Sequence, residues 1–512
     1  MCNLLIVLNR NFSFCLIILL FSNFFSAQSL YENRPNILFF ITDDQSWVNT
    51  SFSGEVAIST PGFDKIANEG IFFENAICAS PSCSPSRGAI ITGQEIWRLG
   101  EASQLFSAVP KELSKLCFPL LLESSGYNIG YTQKGWAPND FDIYGWDSYP
   151  LGKSYSQKQV KPLTNQIVKN DYFNNFKVFL NDNNGKKPFF FWCGTSEPHR
   201  AYQEGSGKIN GIDLKNINVP GFLPDELVIR EDISDYLLEI KWTDQHLEKI
   251  INLLEKKGIL DNTIIIVTSD NGMAFPGAKA TLYEYGIHVP LAIRWGNGIK
   301  SAGRSSDVLV SLTDLAPTIL EVAKVDIPIE MTGKSLNDIF LGLKIKDRSY
   351  VFSGKERHTV CREGDLPYPQ RAIRDSSFLY IQNFEPDRWP AGSPYIKSSH
   401  GWEYGDIDLS PTFNFMQNNT DNINVKRLLD FATEKRPHEE LFDITNDPYC
   451  QNNLINNVLY EPDKIRLSEA LNTYLVKTKD PRLINEKPPW DSYPYYFKNP
   501  KGIIPYHNSR NE

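Results

Sequence analysis

The stretch Asn36-Ile37-Leu38-Phe39-Phe40-Ile41-Thr42-Asp43-Asp44 decides the fold. Its central residues are apolar without a break. They show neither the period of two of a half-buried strand nor the 3.6 of a surface helix. A run this short fits a strand covered on both faces, the kind from which parallel sheets are built. It ends in Thr42-Asp43-Asp44, which puts side-chain oxygens at the strand's carboxyl end. Sheets of this type bind their ligands beyond those ends. Similar runs at 127–131, 188–193, 263–267 and 290–294 predict four more strands. Leu237, Leu238, Ile240, Leu247, Ile250, Ile251 and Leu254 recur at helical spacing and predict a long helix over 232–256. A shorter helix over 61–68 opens with Pro61 after Thr60 as its cap. Strands alternating with helices predict an α/β fold: a large, mostly parallel sheet sandwiched by helices.

Working outward, the texture changes near residue 345. Short strand-like pieces at 350–352 and 378–381 stand between loops rich in Pro and Asn, and 464–476 reads as one more helix. This predicts a catalytic domain over 28–345 and a smaller C-terminal α+β subdomain over 346–512 that completes the substrate site. The Pro- and Tyr-rich tail from Pro481 is expected to wrap the surface. At the other end, Arg10 precedes an apolar run over 12–25 and then Ser26-Ala27-Gln28. That pattern predicts a signal peptide over 1–27 and export, to the periplasm or beyond the cell. The run is short and broken by Ser22 and Asn23, so no stable membrane insertion is expected.

The chain has 512 residues, 22% of them charged, and a formal net charge of −9. It has no run rich in Lys and Arg, which argues against nucleic acid as a partner. An acidic protein that handles an anion must therefore gather a few cations locally. Of its eight cysteines, Cys2 and Cys15 fall in the expected leader and six are scattered, which is not a disulfide framework.

The chemistry concentrates at Cys83-Ser84-Pro85-Ser86-Arg87, continuing to Thr92-Gly93. Pro85 suits the first turn of a helix, which sets Cys83 at the free N–H groups and positive dipole end. Arg87, one turn on, is expected to fork onto an oxyanion. Asp43-Asp44 and Asp270-Asn271 each follow a predicted strand, and oxygen-only ligands suit a hard cation such as calcium or magnesium. The seven histidines offer no zinc-type cluster.

The cysteine motif with Thr92-Gly93 resembles the signature of type I sulfatases, members of the alkaline phosphatase superfamily. The likeness extends over most of 35–450 and is nearest to the heparan N-sulfatases (sulfamidases). It is carried also by Pro198-His199-Arg200, by Thr268-Ser269-Asp270-Asn271-Gly272 and by Glu440-Leu441-Phe442-Asp443. The resemblance implies an alkaline phosphatase-like fold and a sulfuric ester hydrolase. It implies that Cys83 is oxidised to formylglycine by a formylglycine-generating or sulfatase-maturing enzyme. It implies one Ca2+ held by Asp43, Asp44, Asp270 and Asn271 beside residue 83. The aldehyde hydrate would attack sulfur, Arg87, Lys134 and Lys279 would offset charge on the sulfuryl oxygens, and His199 would take the proton from the second hydroxyl.

Many sulfatases carry a histidine two residues after the first lysine, where this chain has Trp136. That role is expected to be lost or moved, leaving the donor to the leaving group open. Glu197, Arg200, Glu356, Arg357 and His358 are candidate substrate contacts. The implied substrate is a sulfated carbohydrate, either heparan-type or an algal polysaccharide such as ulvan or carrageenan. Richness in Asn, Lys and Ile and a simple leader favour bacterial polysaccharide degradation. The alternatives are a phosphomonoester or phosphodiester hydrolase of the same superfamily and an inactive carbohydrate-binding pseudoenzyme.

Overall fold

The computed structural model describes residues 34–136, 145–343, 348–485, 487–499 and 502–505. The expected leader and the 345/346 boundary lie outside them. An eight-stranded sheet is built from β1 (Asn36–Thr42), β2 (Ile71–Ile77), β3 (Asn128–Gln133), β4 (Lys153–Ser154), β5 (Phe189–Gly194), β6 (Thr263–Ser269), β7 (Leu291–Arg294) and β8 (Arg304–Ser311). Their order is β4-β3-β5-β1-β6-β7-β2-β8, with β1 central between β5 and β6. The pairing is parallel except at β7, which runs against both neighbours. The apolar run at 290–294 is thus a strand with its direction reversed. The chain reaches it through the 21 residues that follow β6, whose one helix, Glu284–Ile287, has four residues and is not a crossover helix of the kind that joins parallel strands.

Alternate residues of β1 explain the layers. Leu38 and Phe40 pack with Phe63 and Ile66 of α1 (Pro61–Glu69). Ile37, Phe39 and Ile41 face the other way, towards Ala89, Ile90 and Ile91 of α2 (Cys83–Thr92). The first layer is completed by Phe176 and Phe179 of α3 (Tyr172–Asn183) and by Leu247, Ile250 and Leu254 of α4 (Leu227–Lys256). The second is completed by Ile319 of α5 (Leu315–Val322). Every residue of β1 is buried, as its unbroken run requires.

The expected cap of α1 is corrected. Thr60 makes no side-chain cap bond. The carboxylate of Asp244, from the middle of α4, accepts from the Gly62 and Phe63 N–H groups at 2.8 and 2.7 Å. A tertiary contact has taken over the local one.

A second, antiparallel sheet has the order β12-β11-β10-β9 and comprises β9 (Val351–Lys355), β10 (Gln370–Arg374), β11 (Phe378–Asn383) and β12 (Glu439–Asp443). The helices of the same half of the chain include α6 (Pro411–Asn418) and α7 (Glu461–Lys477). Leu467, Leu471 and Leu475 of α7 join the core that contains Ile373 and Ile381 of this sheet and Ile96, in the short turn that follows α2. The tail folds back and buries Trp490 completely. Among the described residues no helix is long and apolar enough to cross a membrane. The six described cysteines are all free and buried.

Candidate active site

Four strands deliver the site. Asp43 and Asp44 leave β1, Asp270 and Asn271 leave β6, Lys134 leaves β3, and the turn carrying His199 follows β5. Gly194 ends β5 because nothing larger fits: a Cβ there would lie 1.8 Å from the Lys134 carbonyl oxygen. Asp44 adopts a left-handed φ of 70°, which turns the chain directly after Asp43. Short polar residues tolerate that region better than most.

Asp270 Oδ1 accepts from the backbone N–H groups of Asp44 and Asn271 at 3.1 and 2.9 Å. Asn271 Nδ2 donates to Asp44 Oδ1 at 2.7 Å. The carboxylates of Asp43, Asp44 and Asp270 bring oxygens within 4.8 Å of one another. Two buried oxygens in this cluster, Asp43 Oδ1 and Asn271 Oδ1, have no hydrogen-bond partner. Buried acceptors are rarely left unpaired. Oxygen-only donors, three of them ionisable, with two lone-pair sites open, fit a hard divalent cation.

Each carboxylate has its own cation. Lys134 Nζ is bonded to Asp43 Oδ2. Lys279 Nζ donates to Asp44 Oδ2 at 2.6 Å. Arg87 Nε donates to Asp270 Oδ2 at 2.6 Å, and its Nη1 to the carbonyls of Lys134 and Gly135. Arg87 makes its bonds here to protein groups alone. It is buried, holds Asp270, and ties α2 to the ends of β6 and β3. Burial raises the Asp43 carboxyl, but Lys134, with Arg87 beside it, outweighs it and holds it below the usual range. Burial pushes Asp270 up, with Arg87 opposing.

Cys83 is the first residue of α2, and its Sγ lies 3.8 Å from Asp44 Oδ1. Burial, and then Asp43, push its thiol well above the ordinary value. The helix end alone would favour an anion, as does Lys134, but burial and the surrounding carboxylates outweigh both. Ser86, one turn on, donates to the Asp270 carbonyl at 2.6 Å, a supporting contact the motif did not suggest.

His199 Nδ1 lies 2.6 Å from the Arg200 carbonyl oxygen. A carbonyl only accepts, so Nδ1 carries the proton. Nε2 is then left with its lone pair, 3.1 Å from Lys279 Nζ.

Four of the five candidate substrate contacts turn inward and are corrected. Arg200 is paired with Asp232 at 2.7 Å, and Glu197 accepts from the Tyr172 hydroxyl at 2.6 Å. Glu356 is paired with Arg371 and Arg482, and Arg357 donates to the carbonyls of Trp490 and Tyr493. These residues lie beside motif residues in sequence, but buried charges need partners and have found them in the protein. His358 sits closer to the centre, with Nδ1 2.8 Å from the Ser82 hydroxyl, directly before Cys83. Burial lowers its pKa to about 3, so it is neutral. Trp136 is buried against Trp146 and Tyr149 and belongs to the core.

One residue enters unannounced. Asp408, from the loop before α6, places Oδ2 3.1 Å from Lys279 Nζ. Burial alone would raise its carboxyl, but Lys279 holds it far below the usual range. The Gly-Asp-Ile-Asp stretch over 405–408 is acidic enough to notice, but nothing local ties it to a site.

The family model described as Sulfatase matches residues 35–325. An ulvan-active sulfatase of Formosa agariphila is 27% identical over 458 residues, covering 87% of this chain and 81% of that relative. The N-sulphoglucosamine sulphohydrolase of Homo sapiens is 25% identical over 518 residues, covering 93% and 94%. A solved protein in complex with its substrate D-glucosamine-2-N,6-O-disulfate superposes with a TM-score of 0.63 at 21% identity, covering 89% of this chain and all of that one. A phosphonate monoester hydrolase from Silicibacter pomeroyi superposes at 0.64 with 15% identity, covering 92% and 99%, which marks the fold as common to both chemistries.

Proposed function

Because the chain belongs to the sulfatase family and is a sulfuric ester hydrolase, we propose that it removes sulfate from a polysaccharide or its oligosaccharides, using formylglycine made from Cys83 and one calcium ion. The observation that carries the metal assignment is the pair of unpartnered buried oxygens, Asp43 Oδ1 and Asn271 Oδ1, inside an oxygen-only cluster. Asp43, Asp44, Asp270 and Asn271 would hold the ion, with residue 83 beside them. When bound, the ion supplies positive charge against the sulfuryl oxygens and the attacking oxygen. The aldehyde hydrate supplies a nucleophilic hydroxyl and a second hydroxyl whose deprotonation frees sulfate.

The chain's own residues do the rest. Arg87 fixes Asp270, and through its bonds to two carbonyls fixes the start of the segment that carries Lys134. Lys134 and Lys279 lie against carboxylates that a cation would share, which frees their ammonium groups to face sulfate oxygens. His199 presents an unprotonated Nε2 at the centre, held by the Arg200 carbonyl, and is the base for the second hydroxyl. Relatives active on ulvan and on N-sulphoglucosamine support a sulfated saccharide as substrate. The expected leader supports export.

The phosphate-ester alternative is favoured by the fold alone. The test is to co-produce the chain with a formylglycine-generating enzyme, confirm the aldehyde at residue 83 by peptide mass, and measure sulfate released from defined sulfated oligosaccharides. Sulfate release that is lost with a calcium chelator and restored by calcium is the expected result. Turnover by fully unconverted Cys83 protein would falsify the scheme.

A further inference from the structure

The charges of the site do not balance in pairs. Asp43 has Lys134, Asp270 has Arg87 and Asp44 has Lys279, yet Asp408 shares Lys279 with Asp44. Asp408 is a fourth carboxylate against three permanent cations. It belongs to neither group of side chains close enough to hold one metal ion, so a bound cation does not account for it. A further negative charge opposes capture of a sulfate ester and needs another reason to be there.

Its exposure and its mounting supply that reason. The side chains of Asp408 and His199 are 27% and 37% exposed, whereas Asp44 is fully covered and Lys279 is 5% exposed. Asp408 therefore stands at the mouth of the site, on the side a bound molecule enters. The backbone under it is pinned on both sides. Two residues earlier, buried Asp406 accepts from the Thr359 backbone, the Thr359 hydroxyl, Lys355 and Arg362. The Ile407 carbonyl accepts from Trp402 Nε1 at 3.0 Å. Two residues later Ser410 caps α6, and the Thr412 hydroxyl donates to Asp232, the partner of Arg200. A carboxylate presented on so fixed a segment has the preorganisation of a recognition group.

We infer that Asp408 is a specificity-determining residue, accepting hydrogen bonds from hydroxyl or ammonium groups of the sugar that bears the scissile sulfate and rejecting a second anionic group beside it. This rests on the saccharide reading above. Two like charges about 6 Å apart at a partly exposed site cost roughly two orders of magnitude in affinity, and a hydrogen bond to a charged acceptor is worth about 10- to 100-fold.

The test compares kcat/KM of the matured, calcium-loaded enzyme and its D408N variant on three probes. They are an aryl sulfate, a monosulfated saccharide, and the same saccharide with a second sulfate on the adjacent carbon. The wild-type enzyme is expected to favour the monosulfated sugar over the disulfated one by about tenfold or more. D408N is expected to lose about 10- to 100-fold on the monosulfated sugar and to narrow that preference about tenfold. Asp408→Ser, read the same way, stands in if melting shows D408N unfolded. Equal losses on all three probes would mean that Asp408 only positions Lys279, and would overturn the inference. A wild-type preference for the disulfated sugar would overturn it too. Turnover of the aryl sulfate with none of any saccharide would instead overturn the saccharide reading, and shows before any variant is made.

Discussion

At the scale of single residues, the motif and the structure assign Arg87 different work. Spacing within the motif suggests a cation aimed at an oxyanion, but its guanidinium is spent on Asp270 and two carbonyls. Arg87→Ala should then act on the metal site before it acts on sulfate. It leaves the buried Asp270 without its counter-ion, a loss of about 3–5 kcal/mol in the calcium-free protein, read by urea denaturation. Calcium should recover part of that loss. If calcium affinity by titration calorimetry were unchanged and only KM rose, the arginine would be a sulfate contact after all. Cys83, Asp43, Asp270 and Asn271 were legible because each stands in a local pattern with a chemical meaning. Asp408 was not, because its partner Lys279 lies 129 residues away and no short pattern links them. Arg200 and Glu356 misled for the opposite reason: their neighbours are functional while their own charges are used up internally.

Elements show the same division. β1, β5 and β6 were legible because all of their residues are buried and the apolar runs are unbroken. β2 was not, because Glu74 and Asn75 interrupt it where its pairing with β8 slips register between Phe73 and Asn75. The end of β5 is tested by Gly194→Ala. The added methyl would overlap the Lys134 carbonyl, so the end of β3 must move. The expected outcome is a fall in melting temperature of several degrees, with kcat reduced more than KM because Lys134 is displaced. The long helix α4 carries a different test. Glu239 is buried with Oε1 unpartnered, and burial, then Glu197, raise its pKa to about 9. The folded chain thus keeps this proton while the unfolded chain loses it near the ordinary 4.5. Stability is full below the lower value and falls as pH rises towards 9, by at most about 1.4 kcal/mol per unit. Glu239→Gln should flatten chemical-denaturation stability between pH 5 and 9. A slope equal to that of the wild type would show that Glu239 ionises normally.

For the whole molecule, the second sheet and the tail depend on each other through buried charge. Glu356, after β9, pairs with Arg371 of β10 and with Arg482 of the tail, while Arg371 also pairs with Asp480. Glu356→Gln should cost about 3–5 kcal/mol by leaving two arginines short of charge. Sulfate release per folded molecule should stay unchanged, since Glu356 faces away from the site. A specific loss of kcat with normal melting would return it to the substrate contacts. The tail was legible as a surface wrap but not as a clamp, because Trp490 buries itself only against residues brought together by the fold.

The burial of Cys83 bears on time as well as on place. Its Sγ lies against Asp44, whose backbone is held by Asp270, and Asp270 is synthesised 187 residues after Cys83. At about 5–20 residues per second, that leaves roughly 10–40 s in which the cysteine has emerged and its enclosure has not. An oxidising enzyme that needs to grip residues 83–87 in extended form has that interval, or a chain held unfolded for export, in which to act. Stabilising α2 early would then shorten the interval, and a more stable protein would be a less completely matured one.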